Sequence, residues 1–240
     1  MTTKKSSSKR TVIASSLFLS LVAGAALSHG AGSTEPKEAP PASPAPAAAK
    51  PDGAPIAAFD SFGDEAQMSE QDRQIFGWAK EFSAECGQVL ERWIASRAIT
   101  EEKLFARLYY PVPNTDPVKY KTEYDALSDK DIAPIEERFL SKADALSYVV
   151  LSDLNGYVPT HNQKYSQPLT GNRAVDLVNN RTKRIFMTLV GFRSARSEAP
   201  FLVQVNERDN GERALNLSVP VWVKGKHWGA VRFGYRPIRK

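Results

Sequence analysis

Two blocks near the C-terminal end restrict the folding of this chain more than any other part of it. Residues 148–162 read Tyr-Val-Val-Leu-Ser-Asp-Leu-Asn-Gly-Tyr-Val-Pro-Thr-His-Asn. Residues 217–235 read Leu-Ser-Val-Pro-Val-Trp-Val-Lys-Gly-Lys-His-Trp-Gly-Ala-Val-Arg-Phe-Gly-Tyr. Each block is a pair of apolar, β-rich runs joined by a tight turn, Asn155-Gly156 in one and Lys224-Gly225 in the other. A two-residue hairpin turn needs positive φ, which Asn and Gly accept, so the pattern predicts paired hairpins in a small antiparallel sheet. Within 214–223, Leu215, Leu217, Val219, Val221 and Val223 fall on one face, and Asn216, Ser218 and Trp222 on the other. Such alternation means that one face is packed and the other meets helix, ligand or water.

The first thirty residues read as an export segment. Lys4, Lys5, Lys9 and Arg10 precede an uncharged apolar run, Val12 to Leu27, with small residues at two cleavage-type positions around Ala26 and Ala31. The run is at the short end for a membrane span, which takes about 20 residues. A cleaved signal peptide is the favoured reading, and an uncleaved N-terminal anchor is its rival. Both place the rest of the protein in a periplasmic or other extracytoplasmic compartment, secreted or anchored. Residues 31–66 follow as a Pro/Ala-rich, disordered linker, with Pro36, Pro40, Pro41, Pro44, Pro46, Pro51 and Pro55 spaced among Ala, Ser and Lys. The net charge of +5 owes much to the N-terminal lysines and arginine, so it is poor support for a nucleic-acid partner. Cys86 is the single cysteine and excludes an intramolecular disulfide. It falls on the apolar face of a predicted helix, as a small core residue does.

Residues 67–240 are the expected folded domain. Ser69 with Asp72 three positions on has the form of a capping box. Ile75, Ala79, Phe82, Cys86, Val89 and Trp93 then recur at steps of three and four, which predicts one amphipathic helix to about Ser96. A second helix is expected over 101–109 behind Thr100. An irregular segment follows at Pro111, Pro113 and Pro117, then helical sequence over 120–143 interrupted near Pro134. Strands are expected at 145–153, 157–162, 201–207, 214–223 and 228–235, with a loop at 165–172 and a short helix at 174–182. The fold class is therefore α+β, with N-terminal helices packed on a five- to six-stranded antiparallel sheet.

The string Asp153-Leu-Asn-Gly-Tyr157-Val-Pro-Thr-His161-Asn162 carries a family resemblance. With it go Tyr165-Ser-Gln-Pro168, Asn180-Arg181-Thr-Lys-Arg184-Ile-Phe186 and Gly-Lys-His227-Trp228-Gly229. Together they resemble the extracytoplasmic sensor region of some bacterial methyl-accepting chemotaxis proteins. Those regions in turn resemble Cache domains, the extracellular relatives of PAS domains. The resemblance covers roughly residues 81–235. It implies a long helix packed on the sheet, with a ligand pocket between the sheet and its covering loop and short helix. The receptors continue into a second membrane helix and a cytoplasmic coiled coil. This sequence does not, so signalling is expected to pass through a membrane-bound transducer or an envelope protein.

The residues that bear chemistry do not assemble into a catalyst. His161 and His227 are the histidines of the folded part, without a His-Glu-x-x-His pair or a Gly-x-Ser-x-Gly elbow. No enzyme activity, no metal site and no cofactor are expected. His161 either pins the 163–168 segment or lines a pocket. Arg181 and Arg184, with Lys183 between them, are either a solvated face or a fork for a carboxylate or phosphate. Arg193 and Arg196 form a second pair of the same kind. Trp222, Trp228 and Tyr157 either pack the sheet or stack on a planar ligand. The expected role is sensing a small anionic or planar metabolite for chemotaxis or signal transduction. The rival is an envelope interaction module without a ligand, docking on a motility or cell-wall complex. A homodimer through the long helix would be supported by Trp78 and Trp93 on one exposed stripe.

Overall fold

Ser69 and Asp72 do form a capping box. The Asp72 amide donates to Ser69 Oγ at 3.1 Å, and the Ser69 amide donates to Asp72 Oδ2 at 2.9 Å. Two of the orphan amide donors at a helix start are thus satisfied. In this computed structural model residues 61–207 and 213–237 are described. They belong to the unit Ala54–Lys240. The expected export segment, most of the expected linker and Asp209-Asn210-Gly211, where the sequence predicts a turn between the strands expected at 201–207 and 214–223, lie outside the described residues.

The chain runs through β1 (Ser61–Phe62), a 3-10 turn at Glu65–Gln67, α1 (Glu70–Ala95), α2 (Glu101–Phe105), β2 (Tyr110–Pro111) and β3 (Tyr120–Lys121). It continues through α3 (Asp125–Asp131), α4 (Ala133–Leu140), β4 (Leu146–Asp153), β5 (Tyr157–Val158) and a 3-10 turn at Gln163–Tyr165. It closes with α5 (Arg173–Asn179), β6 (Arg184–Ile185), α6 (Leu189–Arg196), β7 (Leu202–Glu207), β8 (Arg213–Val223) and β9 (Lys226–Tyr235). One five-stranded antiparallel sheet has the order β1-β7-β8-β9-β4. β2 with β3 and β5 with β6 form two small sheets. The architecture is the α+β layout expected from the sequence, helices packed on a five-stranded antiparallel sheet. Among the described residues regular structure is present from Ser61, inside the stretch expected to be linker up to residue 66.

α1 lies across β8 and β9. All six residues of its predicted stripe are buried there, with Phe76 and Leu90. The contact is close. Ser83 Oγ donates to the Pro220 carbonyl at 2.6 Å, and a Cβ on Gly87 would stand 2.8 Å from the Trp222 carbonyl. Phe82, Phe139 and Phe233 pack their rings together beneath the helix. Trp93 is buried with its indole N–H on Asp131 Oδ2 at 2.6 Å, and Trp78 is half-buried under Lys142. The exposed tryptophan stripe that would favour a helix-mediated dimer is therefore not formed.

Four expectations of local structure need correction. The helix expected over 101–109 ends at Phe105, and Tyr110 turns into a short strand with Lys121. The helical segment expected from 120 begins as that strand. The first hairpin is not a hairpin of the main sheet: β4 pairs with β9, and β5 leaves to pair with β6. The cause sits at the turn, where Asp153 Oδ1 takes the amide protons of Asn155 and Tyr157 at 2.9 and 3.0 Å and ends the strand. Finally, α6 was not foreseen. Its buried residues are Gly191, Ser194 and Ala195, which make no apolar stripe.

Candidate functional site

The most specific string of the sequence turns out to hold the architecture together. Asp153 Oδ2 accepts from Tyr109 Oη at 2.5 Å and Tyr124 Oη at 2.9 Å, while Oδ1 holds the turn amides. One buried carboxylate thus joins β4, the strand leading from α2 and the start of α3. Burial pushes its pKa up from the ordinary carboxylate value, against the pull of those hydrogen bonds. Gly156 sits at φ +77° in the turn, where a side chain would be strained. Asn162 Oδ1 and Glu136 Oε1 take the amide protons of Val149 and Leu151 at 2.8 and 3.0 Å. Because β4 is an edge strand, these two side chains satisfy donors that no neighbouring strand reaches.

The two faces of the sheet differ in chemistry. The α1 face is the apolar core of Val149, Leu151, Val203, Leu217, Val219, Val221, Val231 and Phe233. The opposite face is covered by α6, which packs on β7, β8 and β9. Registers set a row there: Val150 lies beside Arg232, and Arg232 beside Ser218. The next row is Tyr148, Gly234, Asn216 and Gln204. Tyr148 reaches Asn216 because Gly234 lies between them without a side chain; a Cβ there would stand 2.1 Å from the Tyr148 ring. Tyr148 Oη donates to Asn216 Oδ1 at 2.9 Å, Asn216 Nδ2 to Ser194 Oγ at 2.9 Å, and Ser194 Oγ to Gln204 Oε1 at 2.8 Å. Arg232 Nε joins this chain at Asn216 Oδ1, 3.3 Å away.

Arg232 is the unusual member. It is 5 % exposed, and no ion pair joins it to a carboxylate among the described residues. Burying a charge costs several kcal/mol unless an opposite charge and good hydrogen bonds offset it. A neutral amide oxygen at 3.3 Å offsets a small part. A guanidinium presents a planar fork suited to a carboxylate or phosphate, and here that fork is held in a polar, enclosed setting.

The residues singled out from the sequence part into two groups. His161, Arg181 and Arg184 gather near this face. The His161 ring contacts Tyr148 and Tyr165, with centroids 6.1 and 5.1 Å away. It also lines a pocket of about 450 Å³ with Asp129, Glu137 and Lys183. The guanidiniums of Arg181 and Arg184 each lie 5.0 Å from the Phe186 ring, which packs with Tyr148 and Val150. Tyr157, Trp228 and Trp222 stand elsewhere. Tyr157 is in the α1-side core, its hydroxyl on Asp125 Oδ1 at 2.8 Å. Trp228 is in the same core, with its indole N–H on the Leu104 carbonyl at 3.2 Å. Of the two readings, packing or ligand stacking, the packed one describes Trp228 here; a bulge sets its side, since Val221 pairs with Gly229 and Trp222 with His227, leaving Trp228 as the extra residue. Trp222 is exposed and lies against the His227 ring, 5.0 Å centroid to centroid.

Sequence reasoning missed Arg232, Asn216, Ser194, Gln204 and Tyr148. The signal for Arg232 was a charge at an interior position of an apolar strand, Ala-Val-Arg-Phe-Gly. Among the described residues no cluster of three or more His, Cys, Asp or Glu is arranged to hold a metal ion, and no helix is long and apolar enough to cross a membrane. No family model matches this chain, and no curated protein matches it. Among solved structures, the crystal structure of the E. coli DcuS sensor domain is similar over 44 % of this chain and 65 % of that one, with 20 % identity and a TM-score of 0.26.

Proposed function

We propose that this protein is an extracytoplasmic sensing domain that binds a small anionic metabolite on the sheet face beneath α6. Occupancy would be passed to a membrane-bound transducer in chemotaxis or a related signalling route. The observation that carries this reading is Arg232, a buried guanidinium whose hydrogen-bond partner among the described residues is an uncharged amide. A carboxylate seated on it would supply the opposite charge that the described residues do not.

Thermal unfolding of the full chain with acetate, succinate, citrate, acidic amino acids and purines tests the proposal. A true ligand at 100 times its Kd stabilises by about 2.7 kcal/mol, and Tm rises accordingly. Arg232→Gln is expected to abolish that response. Asn216→Asp would place a permanent carboxylate beside the guanidinium. It is expected to raise Tm without ligand, by about 1–3 kcal/mol of stability, and to abolish the response as well. No shift with any anion in the panel, or a shift that survives both variants, refutes the reading.

A docking role has its own observation. Met187 and Leu189 at the start of α6 are 81 % and 64 % exposed, and Phe192 is exposed beside them. Exposed apolar side chains in one patch mark contact surfaces. If docking is the whole function, replacing Met187 and Leu189 by Ser removes partner capture, and the anion panel leaves Tm unchanged.

A further inference from the structure

A cleft of about 370 Å³ opens at one end of the sheet, away from Arg232. It is lined by Arg107, Leu154, Asn155, Arg196, Glu198 and His227. Four separate parts of the chain meet there: the connection from α2 to β2, the β4–β5 turn, the end of α6 and the start of β9.

The two arginines in it are held differently. Arg196 is fixed by the turn, with Nε on the Leu154 carbonyl and Nη2 on Asn155 Oδ1, both at 3.1 Å. Arg107 has left-handed backbone, φ +49°, which a residue with a side chain adopts at some cost. Its Nε is enclosed without a hydrogen-bond partner, and Nη1 reaches the Phe105 carbonyl only at 3.4 Å. Neither arginine is ion-paired to a carboxylate among the described residues. The carboxylate at the cleft is Glu198, largely exposed, with His227 Nδ1 3.8 Å away. His227 Nε2 lies 2.8 Å from the Gly229 carbonyl, which needs the proton on Nε2 and leaves the Nδ1 lone pair toward Glu198. Arg196 is exposed but pinned, and Arg107 is half-buried with an enclosed nitrogen, so a pair of freely solvated side chains does not describe the arrangement.

We propose that this cleft is a second oxyanion site, taking a phosphate group between the guanidiniums of Arg107 and Arg196. The two guanidiniums come from separate parts of the chain, the α2–β2 connection and the end of α6, and a phosphate has enough acceptor oxygens to take donors from both at once. The source is either free phosphate or the phosphoryl group of a small metabolite.

Isothermal titration of the full chain with inorganic phosphate and, separately, with glycerol 1-phosphate tests this and distinguishes the sources. The tighter binder of the two identifies the source, and acetate should bind at least tenfold more weakly than either. Arg107→Gln is expected to weaken phosphate at least tenfold. Glu198→Gln changes an exposed side chain and removes the carboxylate at the rim, so it is expected to tighten phosphate about three- to tenfold. Arg232→Gln should leave the titration unchanged, which separates this site from the sheet-face site. Absence of binding by both phosphates at millimolar concentration overturns the proposal. So does binding that ignores Arg107→Gln, or that fails to tighten in Glu198→Gln.

Discussion

Glu136 is a carboxyl group set where charge is costly. It is fully buried; Oε1 takes the Leu151 amide proton, and Oε2 has no hydrogen-bond partner. Burial pushes its pKa well above the carboxylate range, aided by Glu137 and Asp129 nearby. The folded state holds this proton more tightly than the unfolded chain does. Folding therefore takes up a proton, and stability falls as pH rises from the unfolded value of about 4.3 through the folded one. Glu136→Gln keeps the bond to Leu151 without the charge. Urea titrations should find it more stable than the parent by about 1–3 kcal/mol at pH 7, with the difference shrinking toward pH 5. A variant less stable than the parent at pH 7 would contradict this. Asp153 is the opposite case, a buried carboxyl with four donors satisfied. Asp153→Ala orphans Tyr109, Tyr124 and two amides together, and should cost about 3–5 kcal/mol in the same titration. A loss below 1 kcal/mol would mean the four donors find other partners. The sequence string around Asp153 announced that these residues matter. It could not reveal that they brace the fold, because their partners lie up to 46 positions away, as between Asn155 and Tyr109.

At the scale of elements, legibility follows locality. α1 was readable to its cap because a capping box and a stripe at steps of three and four are local patterns. The β8–β9 hairpin was readable for the same reason. β4 was paired with the wrong strand because its true partner, β9, is some eighty positions on and nothing local names it. α6 gave no signal because small residues, Gly191, Ser194 and Ala195, make its contact. The side taken by Trp228 was not legible, because one extra residue in a strand reverses the alternation. The approach of α1 to β8 allows a paired experiment. Gly87→Ala puts a methyl 2.8 Å from the Trp222 carbonyl and should cost about 1–3 kcal/mol as the helix lifts. Gly77→Ala, in the same helix with nothing within 4 Å, should stabilise by up to about 1 kcal/mol. Equal effects of the two, read by thermal melts, would show that the close contact does not position α1.

The whole molecule uses its sheet asymmetrically. One face is filled by α1 and an apolar core. The other face carries Gln204, Asn216, Ser218 and Arg232 under a helix whose buried side is small and polar. A fold built only for stability has no reason to enclose a cation there, since an apolar side chain of equal size is usually as good or better. A guest that brings negative charge, as proposed above, would offset that cost. A crystal structure of the full chain tests this most directly, using protein purified in chloride buffers and soaked with the anion that raises its Tm most. The expected result is an oxyanion within about 3 Å of the Arg232 guanidinium, beneath α6. An anion lodged elsewhere with Arg232 unvisited, or an Arg232 closed off by a carboxylate of the chain itself, would contradict it.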